Sequence, residues 1–546
     1  MTKMNRDARY ADFLHRSAAI VGAERVMGQA DAERVYGVNE IGIERFIPGA
    51  VRPQTGEQVI GLLALAREFD VPLYPISTGN NWGYGGANPV TDGCVIADLS
   101  GMNRIVEMDA EMGLVTLEPG VTQRQLREYL DARGLPFLCP VSGAGPDCSL
   151  IGNALERGYG ITPYADHFLA VMAIEAVLSD GTVYRTPLTE LGAAAVDRAF
   201  KWGVGPYLDG IFTQGNFGIV TQMTLALAAT PERIEAFFFG IPDDQDLERA
   251  VAAVRSALRE VTGVVGSINL MNMRRVLSMM EPYPRDRIGP EGIIPTAHLE
   301  TMAKRNQVMP WMGAGALYGN AKVVKAAKSV VRAKLRGVAK RLMFFTPSSV
   351  RTFANASRIV PGPIGKSVHN IFSTLDRTLQ LLAGAPSEIA LPLSYWISGT
   401  MPPPGQPMHP VRDGCGLLWY SPLVPMQPAR VRAYVQMVEA ICLRHRIEPL
   451  ITLTSLSDRC FDSTVPLLFD RQDSAAIERV HRCHEELFAA GRAQGFVPYR
   501  TSVASMRLFM PDEVAFWSVV KQIKDALDPQ GIIAPGRYSR YPSDVP

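Results

Sequence analysis

No stretch of the chain approaches eighteen uninterrupted apolar residues, so no segment is expected to cross a bilayer as a helix. The opening segment, MTKMNRDARYADFLHRSAAIVGAERV, is charged and has no long apolar core. It is therefore read as neither a secretory leader nor an anchor, and the cytoplasm is the expected compartment. An excess of one charge is absent too. Fifty-five Lys and Arg stand against 54 Asp and Glu in 546 residues, which argues against charge-driven binding to nucleic acid or to a membrane surface. Cysteine is sparse. The seven, at 94, 139, 148, 415, 442, 460 and 483, form no CxxC pair, so neither a disulfide framework nor a thiolate metal site is expected, and no metal is assigned.

What is present is ordinary globular material, 47% hydrophobic and 20% charged, in a chain long enough for two or three domains. The N-terminal part alternates helix and strand. TGEQVIGLLALAREFD (Thr55 to Asp70) has helical apolar spacing, and VPLYPIS follows as a short buried strand. CVIADLS and GLVTLEPG read as strands, with TQRQLREYLDARG a helix ending at Gly134. VMAIEAVLSDGTVYRT (Val171 to Thr186) reads as two strands turned at Asp180-Gly181, and GIVTQMTLAL as another strand. From about Pro242 the texture changes. DQDLERAVAAVRSALREV and KVVKAAKSVVRAKLRGVAKRL predict helices, PLSYWIS and GCGLLWYSPLVPM predict strands, and MPPPGQPMHP (Met401 to Pro410) predicts an irregular loop. The basic residues from Lys322 to Arg341 are read as the solvated face of an amphipathic helix, because the chain as a whole is neutral.

One run stands apart: STGNNWGYGG, Ser77 to Gly86, with four glycines and two asparagines directly after a strand. Glycine permits positive φ and close approach of the backbone, and a row of bare N–H groups makes a phosphate nest. The run matches neither GxGxxG nor GxxxxGK[ST], so on its own it is either a nucleotide loop or a structural turn.

Two further stretches extend the pattern, PVSGAGPDCSLIGNALERGYGITPYADH (Pro140 to His167) and GPYLDGIFTQGNFGIVT (Gly205 to Thr221). With GALYG (Gly315 to Gly319), PYRT (Pro498 to Thr501) and DPQGIIAPGR (Asp528 to Arg537), the chain resembles the vanillyl-alcohol oxidase and p-cresol methylhydroxylase family over nearly its whole length. The resemblance implies an α+β fold: an FAD-binding domain in two pieces, 1–238 and 496–546, around an inserted α/β cap at 239–495. It places Ser77, Thr78, Gly79, Asn80 and Asn81 at the FAD pyrophosphate, with Ser142, Gly152, Asn153, Gly158 and Ile219 along the cofactor. The implied reaction oxidises the benzylic carbon of a para-substituted phenol, through a quinone methide, by hydride transfer to flavin N5. An alternative keeps the fold but takes a non-phenolic alcohol or secondary metabolite. Tyr84, Tyr499 and Arg500 match the group that holds the phenol oxygen, and Arg537 matches an arginine that stabilises the reduced cofactor's negative charge. Tyr164 is a candidate pocket ring, Trp82 a packing residue, and Asp166 and His167 structural. Dioxygen or a cytochrome c is the implied electron acceptor, and a homodimer the implied assembly.

The chain departs from the family pattern in three respects. Ala144 falls where the vanillyl branch has an aspartate beside the flavin, and Asp147 reaches that place only through a gap. Leu417 occupies the position of the histidine that links FAD covalently, which leaves His409 as the one weak candidate for a link. Asp462 and Ser463 stand where a paired histidine is expected, so the residues facing the substrate differ.

Overall fold

A computed structural model describes residues 3–357, 373, 375–511 and 514–540; the extreme ends of the first and last expected segments lie outside them. The architecture is α+β, built on three sheets. The first has four strands in the order Val26–Gly28, Gly49–Val51, Val95–Asp98, Leu73–Ile76, the last three running parallel. Helix Gly56–Phe69 makes the crossover within it. The Thr55 side chain caps its first turn by accepting from the Gln58 N–H, and Asp70 ends it in the left-handed region. The second sheet is antiparallel, in the order Ile105–Asp109, Leu114–Leu117, Ile219–Ala226, Val171–Val177, Val183–Arg185. The expected hairpin at Asp180-Gly181 is its last pair.

The third sheet has eight antiparallel strands, in the order Lys340–Phe345, Arg233–Ile241, Trp311–Gly319, Val265–Asn272, Thr452–Ser455, Cys460–Asp470, Cys415–Pro425, Pro498–Arg500. Its two faces differ because side chains alternate along a strand. Ile268, Leu270, Leu453, Phe461, Val465, Leu418 and Tyr420 share a core with helices Leu247–Glu260, Ala321–Leu335, Pro428–Arg444 and Ser474–Gln494. Asn269, Thr454, Asp462, Thr464, Leu417 and Trp419 face the other way, into a cavity. The chain's last part rejoins the first sheet through a parallel bridge between Leu73 and Ile533. Among the described residues no helix is long and apolar enough to cross a membrane.

Two expectations need correction. PLSYWIS is helical, a 3₁₀ turn over Leu391–Ser394 running into Tyr395–Ser398. Pro392 suits a helix start and Gly399, at φ 70°, ends it, outweighing the strand preference of Tyr, Trp and Ile. The basic segment is also not one helix. It stops at Leu335, turns through Gly337 at φ 79°, and continues as strand Lys340–Phe345, so Lys340 and Arg341 are strand residues.

Candidate active site

A cavity of about 560 Å³ lies between the first two sheets and the polar face of the third. Its wall draws together the glycine run and the two stretches that extend it. Ser77, Thr78, Gly79, Asn80, Asn81, Trp82 and Tyr84 line it, as do Ser142, Gly152, Asn153 and Gly158, then Ile219, and finally Tyr499, Arg500 and Arg537. Residues more than 400 positions apart in sequence thus form one surface.

At one end the wall is bare backbone. Gly79 has φ 70°, and among the described residues no protein acceptor meets the N–H groups of Thr78, Gly79, Asn80 or Asn81. A Cβ on Gly152 would sit 2.3 Å from the Ser77 Oγ, and one on Gly158 would sit 2.1 Å from the Asn153 side chain. A side chain at either position requires the Ser77 hydroxyl or the Asn153 amide to move aside. Asn216, from the third stretch, donates to the Ala534 carbonyl and the Ser539 hydroxyl while its buried Oδ1 has no protein partner. The run's second half is pinned from beneath by Glu40, whose buried carboxyl accepts from the N–H groups of Gly83 and Gly85. Burial outweighs those two bonds and pushes Glu40 up to about 7.

The other end is ionic and phenolic. Tyr84 is buried, with its hydroxyl 2.8 Å from Ser421 Oγ and the Arg500 guanidinium 4.2 Å from its ring centroid. Tyr499 lies against Tyr159, edge to face at 5.3 Å. Burial raises the pKa of Tyr84 and of Tyr499, so both hydroxyls stay protonated at neutral pH. Arg500 donates to the Asn81 side chain and lies 3.5 Å from Glu156, which also pairs with Arg537; Arg537 donates to the Tyr74 hydroxyl at 2.7 Å. One carboxylate therefore serves two guanidiniums, leaving surplus positive charge in the wall. Beside them Asp462 is only 4% exposed, with the Tyr499 hydroxyl against it and Oδ1 unpartnered. Burial raises Asp462 to about 7, against the pull of Arg500 and Tyr499.

Sequence reading named Asp462 only as a departure and missed Glu156, Glu40 and Arg275, which also lines the cavity. Glu156 sits inside the quoted GNALERG, so a charged residue in a cofactor motif was its one signal. Glu40 and Arg275 carry no local signal.

The remaining named residues fall elsewhere. Tyr164 is 45% exposed and lines a separate shallow pocket with His167, not this cavity. His167 is buried against the Asn153 side chain, and burial lowers its pKa to about 4. Asp166 accepts from the Leu169 N–H. Asp147 is paired with Arg124 at 2.8 Å and absent from the cavity wall, where Ala144 stands. Leu417 lines the wall, whereas His409 packs edge to face on Trp82 at 4.8 Å and lies outside it. Trp82 packs and also fastens: its Nε1 donates to the Ala144 carbonyl at 2.9 Å, and its own carbonyl accepts from Trp419 Nε1 at 3.0 Å.

Comparison with known proteins agrees with this cavity. The FAD binding domain family matches residues 47–187. The chain is 34% identical to a 1'-carboxy-chondrochloren decarboxylase of Chondromyces crocatus, over 90% of each chain. It is 28% identical to the 4-cresol dehydrogenase [hydroxylating] flavoprotein subunit of Pseudomonas putida, over 95% of this chain and 93% of that one. The crystal structure of p-cresol methylhydroxylase with substrate bound superposes with a TM-score of 0.85 at 26% identity, covering 99% of this chain and 98% of that one. A 4-ethylphenol oxidase from Gulosibacter chungangensis shares the fold at a TM-score of 0.86 and 22% identity, over 98% of both chains. The residues fit an FAD: a cavity of sufficient volume, a glycine strip with free amides, and cations in the same wall.

Proposed function

The chain belongs to the vanillyl-alcohol oxidase and p-cresol methylhydroxylase family of FAD-linked oxidases and dehydrogenases, and on that premise we propose that it oxidises the benzylic carbon of a para-substituted phenol. The observation that carries the reading is the convergence of Tyr84, Tyr499, Arg500 and Asp462 on one end of the cavity. Bound FAD supplies the hydride acceptor, N5 of its ring system. The free amides of Thr78 to Asn81 would hold its pyrophosphate, with Ser77, Ser142, Gly152, Asn153, Gly158 and Ile219 along its length and Arg537 beside the ring.

A neutral phenol is a poor hydride donor, and its phenolate is a good one. The protein's task is therefore to hold the phenol oxygen and take its proton. Arg500 offers a fixed positive charge, and the protonated hydroxyls of Tyr84 and Tyr499 offer hydrogen bonds that strengthen as the oxygen becomes anionic. Asp462, against Tyr499 and with one free oxygen, receives the proton. The benzylic C–H bond then gives up its electron pair as hydride, and the ring becomes a quinone methide. Trp82, Leu417 and Trp419 wall off bulk water while that electrophile exists.

How the quinone methide is discharged admits two outcomes. Addition of water gives a benzylic alcohol. A carboxylate on the adjoining carbon instead leaves as CO2, its bonding pair forming a side-chain double bond and restoring the aromatic ring. The second outcome is favoured by the decarboxylase name of the Chondromyces crocatus relative. Either dioxygen or a cytochrome c then removes the electrons, and within this reading residues 239–495 form the cap of each subunit in a homodimer.

The test is anaerobic mixing of the purified flavoprotein with a panel of 4-alkylphenols, following the flavin band at roughly 450 nm. Substrate-dependent bleaching that Tyr499→Phe abolishes is the expected result. Absence of bleaching with every phenol, but not with non-phenolic alcohols, would move the reading to an alcohol oxidase.

A further inference from the structure

Among the described residues three arginines line the cavity: Arg275, Arg500 and Arg537. Arg500 and Arg537 share Glu156. Arg275 has no such partner. It stands in the first turn of helix Met273–Met280, its N–H bonded to the Asn272 side chain, and its buried Nε and Nη1 meet no acceptor among the described residues. No neighbouring charge acts on it, and burial alone lowers its pKa to about 10. Arg274, the adjacent residue, points away and is paired with Glu448. An unpaired buried guanidinium is costly, and this one belongs to a residue that lines the cavity.

The strands between Arg275 and the phenol-holding end are polar. Asn269, Thr454 and Asp462 lie directly opposite one another on three neighbouring strands, and all three line the cavity. Asn269 Oδ1 is buried without a protein partner. The row spans two strand spacings, roughly 10 Å, from Asp462 to the strand that leads into Arg275. An extended substrate lying along this row would put its phenol at Asp462 and carry its side chain toward the strand that leads into Arg275.

We propose that Arg275, on the helix that follows the Asn269 strand, binds a carboxylate at the end of the substrate's para side chain, so that the substrate class is an ω-(4-hydroxyphenyl)alkanoate and not a simple alkylphenol. A planar guanidinium fork matches a carboxylate in two-point contact. With a single unpaired cation at this end, a monoanion balances the charge, whereas a phosphate dianion would need a second. The inference rests on the reading that Tyr84, Tyr499 and Arg500 hold the phenol oxygen at the opposite end.

The test compares matched substrates, 3-(4-hydroxyphenyl)propanoate and 4-propylphenol, with the holoenzyme, alongside calorimetric binding of 3-phenylpropanoate, which has no phenol to oxidise. The wild type is expected to prefer the acid by about 100-fold in kcat/KM, through KM, and Arg275→Met to erase most of that ratio, a difference on the order of two charge-assisted hydrogen bonds. Arg275→Lys should keep part of it, and 3-phenylpropanoate should bind the wild type but not Arg275→Met. Equal handling of both phenols by the wild type, or an unchanged ratio in either folded, flavin-containing variant, would overturn the carboxylate site while leaving phenol oxidation standing. Preference for the matching phosphate ester over the acid overturns it as well. Arginine-dependent binding of 3-phenylpropanoate with neither phenol oxidised would do the reverse: the site stands and the phenol reading fails.

Discussion

Replacing Asp462 with Asn removes one ionisable proton acceptor and changes almost no volume. In the folded protein this carboxyl is raised from 3.8 to about 7 by burial, with Arg500 and Tyr499 pulling the other way and losing. Three units correspond to about 4 kcal/mol of preference for the neutral form. At about pH 5 only about one molecule in a hundred then carries the ionised form that can accept a proton. If Asp462 takes the phenol proton, kcat/KM for a 4-alkylphenol rises with unit slope from there and levels above about pH 7, a change of about 100-fold. Cofactor and substrate exclude further water from the site, so the limb lies at that pH or above it. Asp462→Asn should lower the plateau and abolish the limb. The same shift also acts on stability, with the opposite of the usual carboxylate sign. Because the folded pKa is raised, the unfolded chain loses its proton first, and stability is lost as pH climbs from about 4 through about 7. Denaturant melts across this window should therefore show the wild type losing stability relative to Asp462→Asn. A variant that keeps the acid limb would refute the proton-acceptor role, and parallel melts would refute the burial argument beneath it.

Two further outcomes concern the cofactor. Gly152→Ala places a methyl group 2.3 Å from Ser77 Oγ, so that hydroxyl must rotate away within the strip; FAD content after gel filtration should fall with little change in far-ultraviolet circular dichroism. With Leu417 in the wall and His409 outside it, acid precipitation should leave the pellet colourless and the yellow in solution; colour in the pellet would point to a covalent link from another residue.

How much of this was legible in the sequence depends on the range over which each feature is made. The glycine run, the hairpin at Asp180-Gly181 and the helix capped by Thr55 are local, and each carries its own turn or cap chemistry. PLSYWIS was misread because propensity favoured a strand while the punctuation that decided it, Pro392 and Gly399, sits at its two ends. The site's electrostatics are of another kind. Glu156 lies beside Arg157 in sequence but pairs with Arg500 and Arg537, brought to it only when the C-terminal part closes over the first sheets. Asp462 acquires its raised pKa from burial in the assembled sheet, where Tyr499, two strands away, and Arg500 pull against it. The pair Arg274 and Arg275 makes the point most sharply. Two identical neighbours on one short helix receive opposite environments, because successive helical residues face about 100° apart. One meets Glu448, and the other meets the cavity. A sequence motif can name the cofactor, since the backbone strip that cradles it is continuous. In the proposed reading the substrate is specified by single side chains from separate strands, and there the unpaired Arg275 is what would distinguish a phenol from a phenolic acid.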